Sequence, residues 1–81
     1  MDFYVVFVNY IGIWSGRPVY EAKDEFRCIF SSQNEAMEYA KDFVGDGVDD
    51  YSECRSARII HYTQNDGKII ELDTEYVEPV S

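Results

Sequence analysis

The sequence predicts an α+β domain: a four-stranded antiparallel sheet in the order strand, strand, helix, strand, strand, with the helix packed on one face. Three observations predict it. One amphipathic segment in the middle of the chain carries both a start and a stop signal for a helix. Aromatic and β-branched runs flank it on either side. An Asp-Gly pair sits between the last two apolar runs, where a tight hairpin turn belongs.

Phe3 to Val8 is aromatic and β-branched throughout, which reads as a central strand covered on both faces. Asn9 to Pro18 holds Gly12, Gly16 and Pro18, so the chain is expected to turn there. Val19 to Ala22 continues or starts a strand, and Lys23 and Asp24 interrupt it. Glu25 to Phe30 alternates and reads as the second strand, with Phe26, Cys28 and Phe30 on one face and Arg27 and Ile29 on the other.

Ser32 followed by Glu35 is a capping box, in which the hydroxyl accepts from a first-turn amide and the carboxylate reaches back. The helix is expected over Gln33 to Val44, with Gly45 ending it. Ala36, Met37, Ala40, Phe43 and Val44 share a stripe, opposite Glu35, Glu38 and Asp42. Asp46 to Glu53 reads as an acidic loop. Arg55 to Tyr62 is the third strand, with Ala57, Ile59 and His61 alternating against Arg58, Ile60 and Tyr62. Gln64 to Gly67 is the turn, and Lys68 to about Thr74 is the returning strand. Glu75 to Ser81 is expected to fray, because Pro79 cannot donate to a ladder. The sheet face away from the helix is expected to carry Tyr and charged residues, either solvated or in contact.

Eighty-one residues make one domain, 1–81, near the lower limit for independent folding. At 46% hydrophobic, with seven Tyr, five Phe and one Trp, the chain has the apolar content to fold. Sixteen Asp and Glu against seven Lys and Arg give a net charge of -9. That charge repels nucleic acid and anionic membrane and favours a basic partner. It also keeps a small protein soluble, with no partner at all. Cys28 and Cys54 are read as reduced thiols, with a single disulfide as the alternative. The start of the chain has neither a basic region nor an apolar run long enough for a targeting or membrane segment.

Catalytic motifs are absent from the sequence. There is one histidine, His61, and no nucleophile elbow, phosphate-cradling loop or metalloprotease helix. Cys28 would need His61 within reach to act as a nucleophile, and its alternation pattern is that of an inert thiol. Asp42 to Glu53 has acids at the first, fifth, ninth and twelfth places of a calcium-loop spacing, and Gly47 at the sixth. Val44 and Asp49 break that pattern, so a solvated acidic loop is preferred and no metal or cofactor is expected.

The carboxylates are the recognition candidates. Glu71, Asp73 and Glu75 alternate along the last strand, where same-face neighbours are about 6.7 Å apart. That spacing is about two base-pair steps of roughly 3.4 Å each. Glu35, Glu38 and Asp42 line the helix and lead into Asp46, Asp49, Asp50 and Glu53. Fixed carboxylate rows can stand in for phosphates against a cationic groove. Trp14, between two glycines, either folds back to cap the core or stands out as an interface anchor.

The strand leading into Ser32, Glu35, Ala36 and Ala40, followed by a strand hairpin, resembles small phage-encoded inhibitors of bacterial machinery over roughly Phe26 to Leu72. These are the anti-CRISPR proteins and the short inhibitors of host RNA polymerase. The resemblance implies a non-enzymatic inhibitor in the bacterial cytoplasm, docking on a nucleic-acid-binding complex of host defence or transcription. It assigns no individual residue. The competing expectation is a structural module that forms a homodimer through a strand edge and the aromatic sheet face.

Overall fold

The computed structural model describes residues 1–45, 48–49 and 52–79, with the side chains of Val48, Asp49, Glu53 and Cys54 outside that description. The described chain runs β1 (Asp2–Trp14), β2 (Arg17–Phe30), α1 (Gln33–Val44), a two-residue β3 (Val48–Asp49), β4 (Ser52–Asn65) and β5 (Lys68–Val77). All pairings are antiparallel. The order across the sheet is β2-β1-β4, with β5 and the short β3 both on the far side of β4. Four long strands and one helix on the sheet make the expected α+β fold.

The strands are longer than their apolar runs. The stretch from Asn9 to Pro18, expected to turn as a whole, is strand except for Ser15 and Gly16. Those two have φ 52 and 74, and Asp66 and Gly67 in the second hairpin have φ 52 and 76. Positive φ at both central residues is the turn whose twist matches that of the flanking strands, so two residues suffice at each end. Lys23 and Asp24 do not break β2. Asp24 sits at φ 49 within a register shift, and its N–H donates to Asn9 Oδ1 at 3.0 Å. The expected frayed tail is also corrected: β5 continues to Val77, which pairs with Ala57 and is buried.

Two further bulges re-aim side chains. Val6 pairs with Cys28 but Phe7 pairs with Phe26, so Arg27 is the extra residue. Phe26 therefore lies on the face opposite Cys28 and Phe30, not beside them as simple alternation predicts. On β5, Asp73 pairs with His61 and Glu71 with Tyr62, leaving Leu72 as the extra residue.

The helix is built as its sequence dictates. The Glu35 N–H donates to the Ser32 hydroxyl at 3.4 Å. Gly45, at φ 51 and ψ −125, donates its N–H to the Lys41 carbonyl at 2.9 Å, in a positive-φ conformation that glycine holds without a Cβ clash. Ala36, Ala40 and Val44 press on Val6, Val8, Ala57, Ile59 and Val77, with Tyr4, Tyr10, Phe30, Met37, Tyr39 and Phe43 around the rim. The small alanines let the helix backbone approach the sheet closely. Val5 and Ile60 are also buried, yet they belong to the other face, where each pairs with the other across β1 and β4.

Candidate interaction surface

The two faces of the molecule differ in chemistry. On the helix side, Glu35, Glu38 and Asp42 are exposed along α1, one turn apart, with Cβ atoms about 5–6 Å from one another. Asp73 and Glu75 pair with His61 and Ile59, which puts their side chains on the same side of the sheet as α1. Gln33 Nε2, in the first helical turn, donates to Glu75 Oε2 at 3.4 Å. Glu78 lines the groove between the end of α1 and β5 with Lys41, Val44, Gly45 and Val77. The helix acids thus occupy the outward ridge of α1 and the β5 acids lie to one side of it, with Lys41 on the helix surface between them. Tyr39, which meets the Phe30 ring at 5.6 Å, marks the β2 side of the helix.

Three of the chain's seven cations are folded onto rings. The Arg27 guanidinium lies 5.7 Å from the Tyr10 ring and 5.4 Å from the Phe43 ring, with Glu25 Oε2 at 3.5 Å. Arg55 lies 5.3 Å from the Phe43 ring, donates from Nε to Ser52 Oγ at 2.6 Å and donates from Nη1 to the Phe43 carbonyl at 3.2 Å. Arg58 lies 5.2 Å from the Phe7 ring and pairs with Asp24 at 3.4 Å. Flat, weakly hydrated guanidinium suits such stacking. Arg17 and Lys68 stand next to the two hairpin turns, at opposite ends of the sheet. Arg27 and Arg55 thus keep their charge on the helix side, around Phe43 near the end of α1, while Arg58 lies on the other face.

The Asp2 carboxyl titrates below its ordinary range. The Thr63 hydroxyl, donating to Oδ1 at 2.7 Å, and then His61 Nε2, 3.1 Å from Oδ2, hold it below its ordinary 3.8. The His61 ring stacks on Tyr4 at 4.4 Å. Tyr4, Gln33, Ile59, His61, Asp73 and Glu75 line a niche of about 20 Å³, room for one water. On β2, the Glu25 charge raises the Tyr20 phenol above its ordinary 10.0.

The bulge at Leu72 splits the expected row on β5. Asp73 and Glu75 remain together, while Glu71, paired with Tyr62, turns to the other face. Trp14 does not fold back to cap the core; at 66% exposure it stands out beside the Ser15-Gly16 turn, leaving the anchor role open. Asp46 and Asp50 lie outside the described residues, and Asp49 and Glu53 are placed by backbone alone, pairing with Ser52 and Val48. Cys28, a half-buried free thiol, and His61 lie on β2 and β4 with β1 between them, about 9.6 Å apart across two strand spacings and offset by a further two residues along the strands. That is too far for a base to activate the thiol.

The other face carries the expected Tyr and charged residues in Tyr62, Tyr76, Arg58 and Glu71, together with a larger apolar share than expected. Phe3, Val5 and Phe7 from β1 pair with Tyr62, Ile60 and Arg58 from β4, and Ile29 and Phe26 from β2 pair with Val5 and Phe7. Tyr76 and Thr74 complete it from β5. Phe26, Ile29 and Tyr76 are 55%, 55% and 67% exposed. Sequence reasoning expected an aromatic sheet face but put Phe26 on the opposite one, because the Arg27 bulge decides which way Phe26 points. The one signal was the unbroken apolar run of β1.

Among the described residues no helix is long and apolar enough to cross a membrane, and no group of His, Cys, Asp and Glu is placed to hold a metal ion. No protein-family model, curated protein or solved structure matches this chain.

Proposed function

We propose that this protein is a non-enzymatic, acidic binding protein that blocks the nucleic-acid site of a basic host complex, as a phage-encoded inhibitor of the anti-CRISPR kind would in the bacterial cytoplasm. One observation carries the reading: exposed carboxylates line the outward face of α1 and the neighbouring part of β5. Glu35, Glu38 and Asp42 on the helix and Asp73, Glu75 and Glu78 on and after β5 are the contact residues of this reading. A groove that grips phosphates would release the same counterions on meeting them. Trp14, exposed at the hairpin end, supplies an apolar anchor beyond the charged area.

The test is capture from a bacterial lysate, with identification of what is retained and competition by single-stranded DNA. The retained protein is expected to bind nucleic acid and to be displaced by the DNA. If six carboxylates replace phosphates, affinity falls about a thousandfold between ~50 and ~200 mM salt. Replacing Glu35, Glu38 and Asp42 by Lys abolishes capture, whereas Asp66→Lys at the hairpin turn leaves it intact. Retention indifferent to ionic strength and to DNA overturns the reading.

A further inference from the structure

We propose that the open face of the sheet is a self-association surface, on which a second copy of this chain packs face to face about a twofold axis. Phe3 to Val8 is apolar at every position, the pattern of a strand buried on both sides. The helix buries Val6 and Val8 from one side. On the other side Val5 and Ile60 are covered only by their own neighbours, at 7% and 3% exposure, while Phe26, Ile29 and Tyr76 remain more than half open. A sheet with apolar side chains on both faces calls for a layer on each.

Charge selects the occupant. The chain carries -9, but the open face holds few of its charges. Arg58 there is paired with Asp24, and Glu71 stands at the β5 margin. Two copies meeting by this face keep both acidic helix sides pointing away from the contact, which limits the repulsion between them. A strongly basic partner would find more to pair with on the helix side.

Area is sufficient. The molecule measures 50 × 22 × 15 Å, so its broad side has room for the roughly 800 Å² per partner of a standard interface, with the apolar patch as the core and polar residues as the rim. Two such sheets stack about 10 Å apart with their side chains interdigitated. A twofold axis makes one patch serve as both halves.

This inference is independent of the acidic reading, and either one stands if the other falls. Sedimentation equilibrium of the full chain at micromolar concentration tests it. The dimer mass is expected for the parent protein. Ile29→Asp and Phe26→Asp, both at exposed positions, are expected to give monomers with an unchanged far-ultraviolet spectrum. Leu72→Lys, at the outer edge of β5, is expected to leave the dimer intact. A parent protein that is monomeric at these concentrations overturns the proposal and leaves the face to a different protein or a lipid surface. A dimer that survives both aspartates but is broken by Leu72→Lys overturns it in favour of edge pairing.

Discussion

Val77→Ala tests whether the chain's last strand is part of its core. Val77 is 8% exposed, pairs with Ala57 and belongs to the cluster under the helix. Removing its two methyl groups loses about 1.6 kcal/mol of transfer energy at ~0.8 per carbon, and the cavity left behind raises the loss to about 2 kcal/mol. A domain of this size has about 4–12 kcal/mol in all, so the loss is a sizeable share. The melting temperature is expected to fall by about 8–16 °C, at ~4–8 °C per kcal/mol. Val19→Ala removes the same atoms from a side chain that is 64% exposed, and is expected to cost no more than about 0.5 kcal/mol. Urea unfolding of the three proteins side by side, with slopes compared as well as midpoints, reads the difference. Equal losses for Val77→Ala and Val19→Ala would refute the packing of β5 against α1.

Other perturbations give equally direct readings. Ser32→Ala removes the acceptor for the Glu35 amide and is expected to cost about 1 kcal/mol in the same urea assay; restoring an oxygen with Asp recovers it. Gly67→Ala is expected to cost about 1 kcal/mol from its φ of 76 alone, since a Cβ there meets no neighbour, and Gly67→Asn is expected to cost less. Asp2 titrates below 3.8 in the folded chain, so its contribution to stability is complete above that value and is lost as pH falls through its folded pKa. Thr63→Val is expected to move the Asp2 midpoint back toward 3.8 in a carboxyl NMR titration. Glu25→Gln is expected to bring the Tyr20 phenol down toward 10.0, followed by ultraviolet absorbance against pH.

What could be read from the residues was local. Ser32, Glu35 and Gly45 define the helix without help from the rest of the chain, and Asp66-Gly67 defines its turn. The lengths of the strands could not be read. Pro18 and Asp24 look like breaks, yet β2 is an edge strand whose unpaired side tolerates a proline and whose bulge accommodates Asp24. Val77 lies between Tyr76 and Glu78, two residues before Pro79, and its burial depends on a helix more than thirty residues earlier. For the acidic surface, exposure was legible and sidedness was not. Glu71 and Asp73 look equivalent until the register with His61 and Tyr62 separates them. The same holds for Phe26, whose face is decided by one extra residue at Arg27.

The pairing of β1 with β4 has a consequence for how the chain folds. Each hairpin closes through a two-residue turn and can zip locally, within about 1–10 μs. The seam between them joins Asp2 to Thr63, across most of the sequence, and nothing local prepares it. Assembly is expected to wait on that long closure, with the inner edges of both ribbons bare until it happens. Sticking between chains during refolding should therefore rise with concentration even when the finished fold is sound. Light scattering during refolding from urea at two dilutions would reveal it, and a signal independent of dilution would place the slow step elsewhere.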